Sequence, residues 1–373
     1  MMHKFINSVS RRIRYQKSRL RDEIHGLIDR VYFKERSGAD KEKRQIEFFC
    51  VVWGGDYLHS LFSYTIPSLL QEGNIPTLAR DGYRLRLSIY THPHEYQEIA
   101  KQYDSCLGLL SQNMTVNIIP LDELKEGWWQ GYYWHLGTNA LLDHVKMCID
   151  EDAIFVLVMP DSVFGNESIT NAVKTIQGKN TCLAAAHPRI SRKSIETSCG
   201  AFAGLKKMER TIANDEMVDI AFEHGHQSLL GSFDNTDSNN TSGGLSIRKI
   251  NEITYSVIHN LPTVWLANFV KDDLKFLAGP LLLWDHMWPS LLLRHNRLKV
   301  TGSSDLFFVL ELTHDDLNIP TMEKGLLNND KFQTRRQRRL HNYVFNSFCS
   351  VWRGRSDRPK LVPGDSVQQS SGG

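Results

Sequence analysis

The run Ile46–Val52 is apolar at every position but one and ends at Gly54-Gly55. It is the first of several such segments. RLRLSIYTH at 84–92, MTVNIIPL at 114–121, AIFVLVMPDSVFG at 153–165 and TCLAAAHPR at 181–189 come after it. Between them lie stretches with helical character at 59–76, 94–110 and 131–150. Short strands that are apolar on both faces, separated by helices, can be satisfied only by a sheet covered on both sides. The alternation therefore predicts an α/β fold with a mostly parallel sheet flanked by helices. On such sheets ligands gather at the carboxyl ends of the strands. The polar turns after the first and fourth strands, Gly54-Gly55-Asp56 and Pro160-Asp161-Ser162, are the first places to look for a site.

Charge divides the chain further. Residues 1–45 hold 13 Lys and Arg against 6 Asp and Glu, and residues 324–360 hold 10 against 2, yet the whole chain carries only +2. The ends are basic and the body is acidic. Ile6, Val9, Ile13, Leu20, Ile24, Leu27 and Val31 make one apolar stripe, and Leu340, Val344, Phe348 and Val351/Trp352 make another. Both ends are expected to be basic amphipathic helices, over 1–45 and 335–355. Each would pack on the body or a partner, or lie on an anionic membrane surface. Residues after Pro359 are expected to be disordered. The expected division is 1–45, a body over 46–320, and a C-terminal basic segment over 321–373.

Several function classes lose support. No GxGxxG follows the first strand, and no GxxxxGK[ST], GxSxG or HExxH is present. The six cysteines are scattered with no CxxC spacing, which suits a reducing cytosol better than a disulfide framework. No window approaches the roughly 18 apolar residues of a membrane span, and the start of the chain lacks the apolar stretch of a secretory signal. The acidic body, without interleaved basic and aromatic residues, argues against nucleic acid as a partner.

The strongest local signal is VLVMPDSVFGNES, an apolar strand running straight into Asp161, with three strand–helix passages between it and the first strand. Together with WGGDYLHSLFSYTIPSLLQEGNIP at 53–76, it resembles the GT-A glycosyltransferases, and the bacterial surface-polysaccharide type in particular. The resemblance covers about residues 46–315. It implies a Rossmann-like nucleotide-binding half over 46–200 and an acceptor half over 201–320. The expected activity is transfer of a sugar from a nucleotide-sugar donor to a glycan or lipid-linked acceptor. The place of work would be the cytoplasm, peripherally on the inner face of the plasma membrane.

In that family a DxD motif at this place holds a divalent cation and the donor diphosphate. Asp161 and Ser162 stand there, so the resemblance implies Mg²⁺ or Mn²⁺ at Asp161 with a further ligand from His314. Pro160-Asp161-Ser162 supplies one carboxylate where DxD supplies two, and basic side chains or a monophosphate-activated donor are the alternatives. Asp56 is expected at the nucleotide, and Ser242, Gly243 and Gly244 at the donor sugar. Asp285, with His286 beside it between Trp284 and Trp288, is expected to be the base that deprotonates the acceptor hydroxyl. Each position also has a plain structural reading: Asp56, Asp161 and Asp285 as turn or helix-capping residues, Ser242–Gly244 as an ordinary loop, and His314 and His187 as structural histidines. A chain that keeps this fold without catalysis, assembling with partners at a membrane surface, is the alternative function.

Overall fold

The computed structural model describes residues 44–121, 133–177, 181–230, 245–259, 263–277, 288–315 and 348–355. All of them belong to one compact unit, Lys43–Gly373. The expected helix over 1–45 lies outside the described residues except for its last two positions, and Gln45 already opens the first strand.

The fold is mixed α/β around a seven-stranded, mostly parallel sheet. Strands β1 (Gln45–Val51), β2 (Arg84–Thr91), β3 (Thr115–Pro120) and β4 (Ile154–Val158) are the first four apolar runs, and each pairs in parallel with its neighbour. With β6 (Cys182–Ala185), β10 (Thr263–Ala267) and β11 (Leu298–Val300) they stand in the order β11-β6-β10-β4-β1-β2-β3. Ile46, Phe48, Phe49 and Cys50 are all buried, so β1 is covered on both faces, as its unbroken apolar run requires. The described helices include α1 (Gly55–Ser60), α2 (Ile66–Leu69), α3 (Ile75–Arg80), α4 (Pro93–Gln102), α5 (Asp104–Ser111), α6 (Tyr133–Asp150), α7 (Ser168–Ile176), α8 (Arg192–Ser198), α9 (Gly200–Lys206) and α10 (Asn214–Glu223).

The fold departs from expectation in three places. The fourth run is two strands: β4 ends at Val158, and β5 (Ser162–Phe164) crosses into a separate sheet. Pro160, which cannot donate to a ladder, sits in the break. The fifth run is also split, at His187-Pro188. Its first part, β6, is separated from β4 by β10, which runs antiparallel to both. Its second part, β7 (Arg189–Ser191), joins the sheet of β5. Last, the expected helix at 335–355 is a strand where it is described. β13 (Phe348–Arg353) pairs with β9 (Thr254–His259), which pairs in turn with β8 (Leu245–Lys249). Ser350 and Trp352 alternate inward there, and an apolar run this short fits a period of two as well as 3.6.

Helix α1 passes into α2 through a π-helical turn, Leu61–Thr65, buried at every residue. Pro67 in the next turn has no N–H to give, and a one-residue bulge accommodates the lost bond. The bulged segment presents Thr65, whose hydroxyl donates to the Pro160 carbonyl (2.8 Å), while Ser68 Oγ accepts from Phe164 N–H (3.0 Å). The helix after β1 thus fixes both ends of the Pro160–Phe164 corner.

Gly165 closes that corner under a tight steric limit. A Cβ there would lie 1.9 Å from Asn214 Oδ1, and Asn214 is held by the Ser168 hydroxyl (2.7 Å). Gly165→Ala is expected to cost about 1–3 kcal/mol through forced movement of Asn214, read as a lower urea midpoint; an unchanged midpoint would show that the corner yields freely.

Candidate functional site

The site is built on a small sheet in which β12 (Val309–Thr313) lies between β5 and β7, antiparallel to the first and parallel to the second. Val163, Ile190, Leu310 and Leu312 lie on one face and belong to the second of two apolar clusters. The register puts Ser162, Glu311 and Arg189 level with one another on the other face.

Glu311 is fixed from two sides. Arg189 Nε donates to Oε1 at 2.9 Å, and His187 Nε2 lies 2.8 Å from Oε2. His187 is seated edge-on against Trp265 at 5.4 Å between ring centres. Burial alone would raise the Glu311 carboxyl; the His187 hydrogen bond and the Arg189 charge outweigh it and hold the group down at about 2. Asp161 responds in the opposite direction. Its carbonyl accepts from Leu312 N–H (2.8 Å), which pins it beside β12. Burial, reinforced by the Glu311 charge and opposed in part by Arg189, pushes its carboxyl up to about 7. Among the described residues Asp161 forms no ion pair, so the two acids divide one environment: Glu311 stays charged and Asp161 readily holds a proton.

Asp56 lies in the first turn of α1, after Gly54, whose φ of 85° is left-handed. The Gly54 N–H donates to the buried Glu95 carboxylate, which also accepts from the Thr91 hydroxyl (3.1 Å), so the ends of β1 and β2 are tied together. Asp56 itself is exposed. Arg192 Nη1 lies 3.7 Å from its Oδ1 and 3.4 Å from its carbonyl, and His314 Nε2 lies 3.9 Å from its Oδ2. Arg192 also meets His314 Nε2 at 3.2 Å and Glu196 Oε1 at 2.9 Å. Tyr57 links the two groups: burial first, then the charges of Asp161, Glu311 and Asp56, raise its hydroxyl above the ordinary range. At the carboxyl ends of β1 and β2, the rings of Trp53 and His92 lie 6.0 Å apart, and His92 stacks on His94 at 5.6 Å.

The structure therefore brings Asp56, Asp161 and His314 toward one edge. Ser162 is wholly buried, on the same sheet face as Glu311 and Arg189, and its hydroxyl finds no partner among the described residues. Ser242, Gly243, Gly244, Asp285 and His286 lie outside the described residues; of the two tryptophans beside Asp285, Trp288 is described and is buried in the core. Sequence reasoning did not single out Arg189, Arg192, Tyr57, Trp53 or His92. Position after a strand end was an available signal for Trp53, Tyr57 and His92; nothing local marks Arg189 or Arg192.

A divalent cation held by Asp161 and His314 does not fit this arrangement. Among the described residues no group of three or more His, Cys, Asp and Glu side chains could hold a metal ion. His314 faces Asp56 and Arg192, whereas Asp161 faces Glu311 and Arg189. Both oxygens of Glu311, the second carboxylate at this corner, are already taken by Arg189 and His187.

No family model matches the chain, and no curated protein matches it. Among solved structures it is similar to GalNAc-T7, whose structure was determined with UDP, GalNAc and Mn²⁺, at 10% identity and a TM-score of 0.38, over 74% of this chain and 45% of that one. The chain thus spans less than half the length of that protein. It is also similar to the inositol-1-phosphate CTP transferase from T. maritima, at 12% identity and a TM-score of 0.29, over 76% of this chain and 98% of that one. Among the described residues no helix is long and apolar enough to cross a membrane.

Proposed function

We propose that this chain is a glycosyltransferase that moves a sugar from a nucleotide-sugar donor to a glycan or lipid-linked acceptor, as in bacterial surface-polysaccharide synthesis. The observation that carries the reading is the convergence of strand ends. The neighbouring parallel strands β4, β1 and β2 end in Asp161, in Trp53 to Tyr57, and in His92 to His94, and the carboxyl edge of a parallel sheet is where such ligands bind. Aromatic and acidic groups at the ends of β1 and β2 suit a base and ribose, with Asp56 accepting from a ribose hydroxyl. Asp161 serves the donor's phosphate end, and Ser242, Gly243 and Gly244 approach the donor sugar.

In the reaction the acceptor oxygen attacks the anomeric carbon. Asp285, seconded by His286, takes the hydroxyl proton, and the bond from the anomeric carbon to the phosphate oxygen breaks with its electron pair leaving on the nucleotide. The acceptor would reach the site from an anionic membrane surface on the cytoplasmic side, held there by the basic stripe of residues 5–31 and the basic run before β13.

A panel of UDP-, GDP-, CMP- and dTDP-sugars tests the assignment through slow donor hydrolysis, with water as acceptor. One donor is expected to turn over, and Asp161→Ala is expected to lower that rate by about 100-fold, roughly 2.7 kcal/mol of transition-state stabilisation. Binding of a nucleotide without turnover of any sugar would favour the non-catalytic alternative, and indifference to the whole panel would end the transferase reading.

A further inference from the structure

The departure from a metal-holding motif has a positive counterpart in Arg192. We infer that the site takes the phosphates of its nucleotide donor on the Arg192 guanidinium instead of on a divalent cation, an inference that rests on the transferase reading. The first support is the state of the acids. A cation bridging carboxylate and phosphate needs carboxylate oxygens free to face it. Glu311 gives one oxygen to Arg189 at 2.9 Å and the other to His187 at 2.8 Å.

The second support is the way Arg192 is held. It opens α8 directly after β7, three residues beyond Arg189, and its side chain is only 11% exposed. Nε is fixed on Glu196 at 2.9 Å, one turn on. Nη1 is fixed by the Asp56 carbonyl at 3.4 Å and by His314 at 3.2 Å. Among the described residues no hydrogen bond engages Nη2. A guanidinium anchored through two nitrogens with the third open is arranged in advance for a phosphate oxygen, and it loses little side-chain freedom on binding. It stands beside Asp56, at the end of β1, where the donor's ribose is placed. His314, half-exposed and in contact with the same Nη1, becomes a neighbour of the phosphates rather than a metal ligand.

Calorimetry on the full chain tests this with uridine, UDP, GDP, CDP and dTDP, each in EDTA and in excess Mn²⁺, together with Mn²⁺ alone followed by electron paramagnetic resonance. Expected results are a diphosphate bound more tightly than its nucleoside, an affinity that EDTA changes by less than about twofold, and a loss of about tenfold or more in Arg192→Ala, equivalent to about 1.4 kcal/mol. Arg192→Lys, which keeps the charge and loses the fork, is expected to fall between the two and guards against misreading a misfolded alanine variant. Diphosphate binding that requires Mn²⁺, binding in both Arg192 variants equal to that of the wild type, or stoichiometric Mn²⁺ uptake abolished by Asp161→Ala overturns the inference while leaving the transferase reading intact. Failure of the wild-type chain to bind any of the nucleotides, with or without Mn²⁺, overturns both.

Discussion

Replacing Glu311 with alanine is expected to cost the chain about 3 kcal/mol of unfolding free energy at neutral pH, at the lower end of the range for removing one partner of a buried ion pair. The carboxylate is 14% exposed, and its partners His187 and Arg189 are 15% and 26% exposed, so neither partner can turn far enough to recover full hydration. Arg189 would keep the Asp161 charge nearby but lose its ion pair, and His187 would keep its place against Trp265 without the bond that orients it. Glu311→Gln separates charge from shape. The amide oxygen still accepts from one of the two donors, so about half the loss is expected. A third variant, with Arg189→Met and Glu311→Leu together, removes both charges and is expected to recover most of the stability, because an apolar pair of similar volume avoids the desolvation cost. Urea unfolding of the three variants at one pH decides the matter. A loss below about 1 kcal/mol in Glu311→Ala would mean that the Glu311 carboxylate is hydrated and is not the fixed neighbour that raises Asp161.

That triad also marks where the sequence stops being legible. The four parallel strands could be read because each is buried on both faces and so is apolar along its whole length, a property visible within one run. The helix after β1 could be read as a helix, but not its π-helical turn, which depends on where Pro67 falls relative to the corner it packs against. Glu311 is a single acid between Leu310 and Leu312, with nothing local to mark it. Its role comes from a cross-strand register with Arg189, 122 positions away, and neither composition nor periodicity reports register between distant strands. Arg192 was hidden in the same way, since its meaning lies in contacts with Asp56 and His314 from other elements. The Asp161 corner itself was found because an apolar strand that ends in a proline and a carboxylate is a local event. The strand at Phe348–Arg353 was misread because helical spacing and strand alternation coincide over so few residues, and pairing with β9 decided between them.

The pH dependence of stability is expected to be shallow between about pH 4 and 6.5, because the buried His144 and the partly buried Asp161 have large and opposite effects there. His144 on α6 is fully buried among Phe49, Tyr90 and Phe155. Its Nε2 lies 3.7 Å from Glu47 Oε2 and its Nδ1 lies 3.4 Å from the Tyr90 hydroxyl. Burial, aided by the Arg86 charge, lowers its pKa to about 3. A histidine depressed in the native state stabilises the fold fully above its unfolded value of about 6.5, and the contribution is lost as pH falls toward 3, up to about 5 kcal/mol at one proton and 1.36 kcal/mol per pH unit. Asp161, raised to about 7, works the other way: the native state holds a proton that the unfolded chain releases, so its contribution is present at low pH and is lost as pH rises from about 4 through 7. The ceiling here is about 4 kcal/mol, from a shift of about three units. Glu47, also raised by burial, adds to the Asp161 side, while Glu311, held at about 2, begins to cost stability only below its ordinary range. Removing one group should therefore expose the other. His144→Phe is expected to gain stability relative to wild type as pH falls from 6.5 to 4.5, Asp161→Asn to lose it over the same interval, and the double variant to keep only the smaller slope that Glu47 leaves. Urea midpoints measured across that range give the three slopes directly, and parallel curves for all four proteins would mean that neither group keeps its shifted proton affinity in the folded chain.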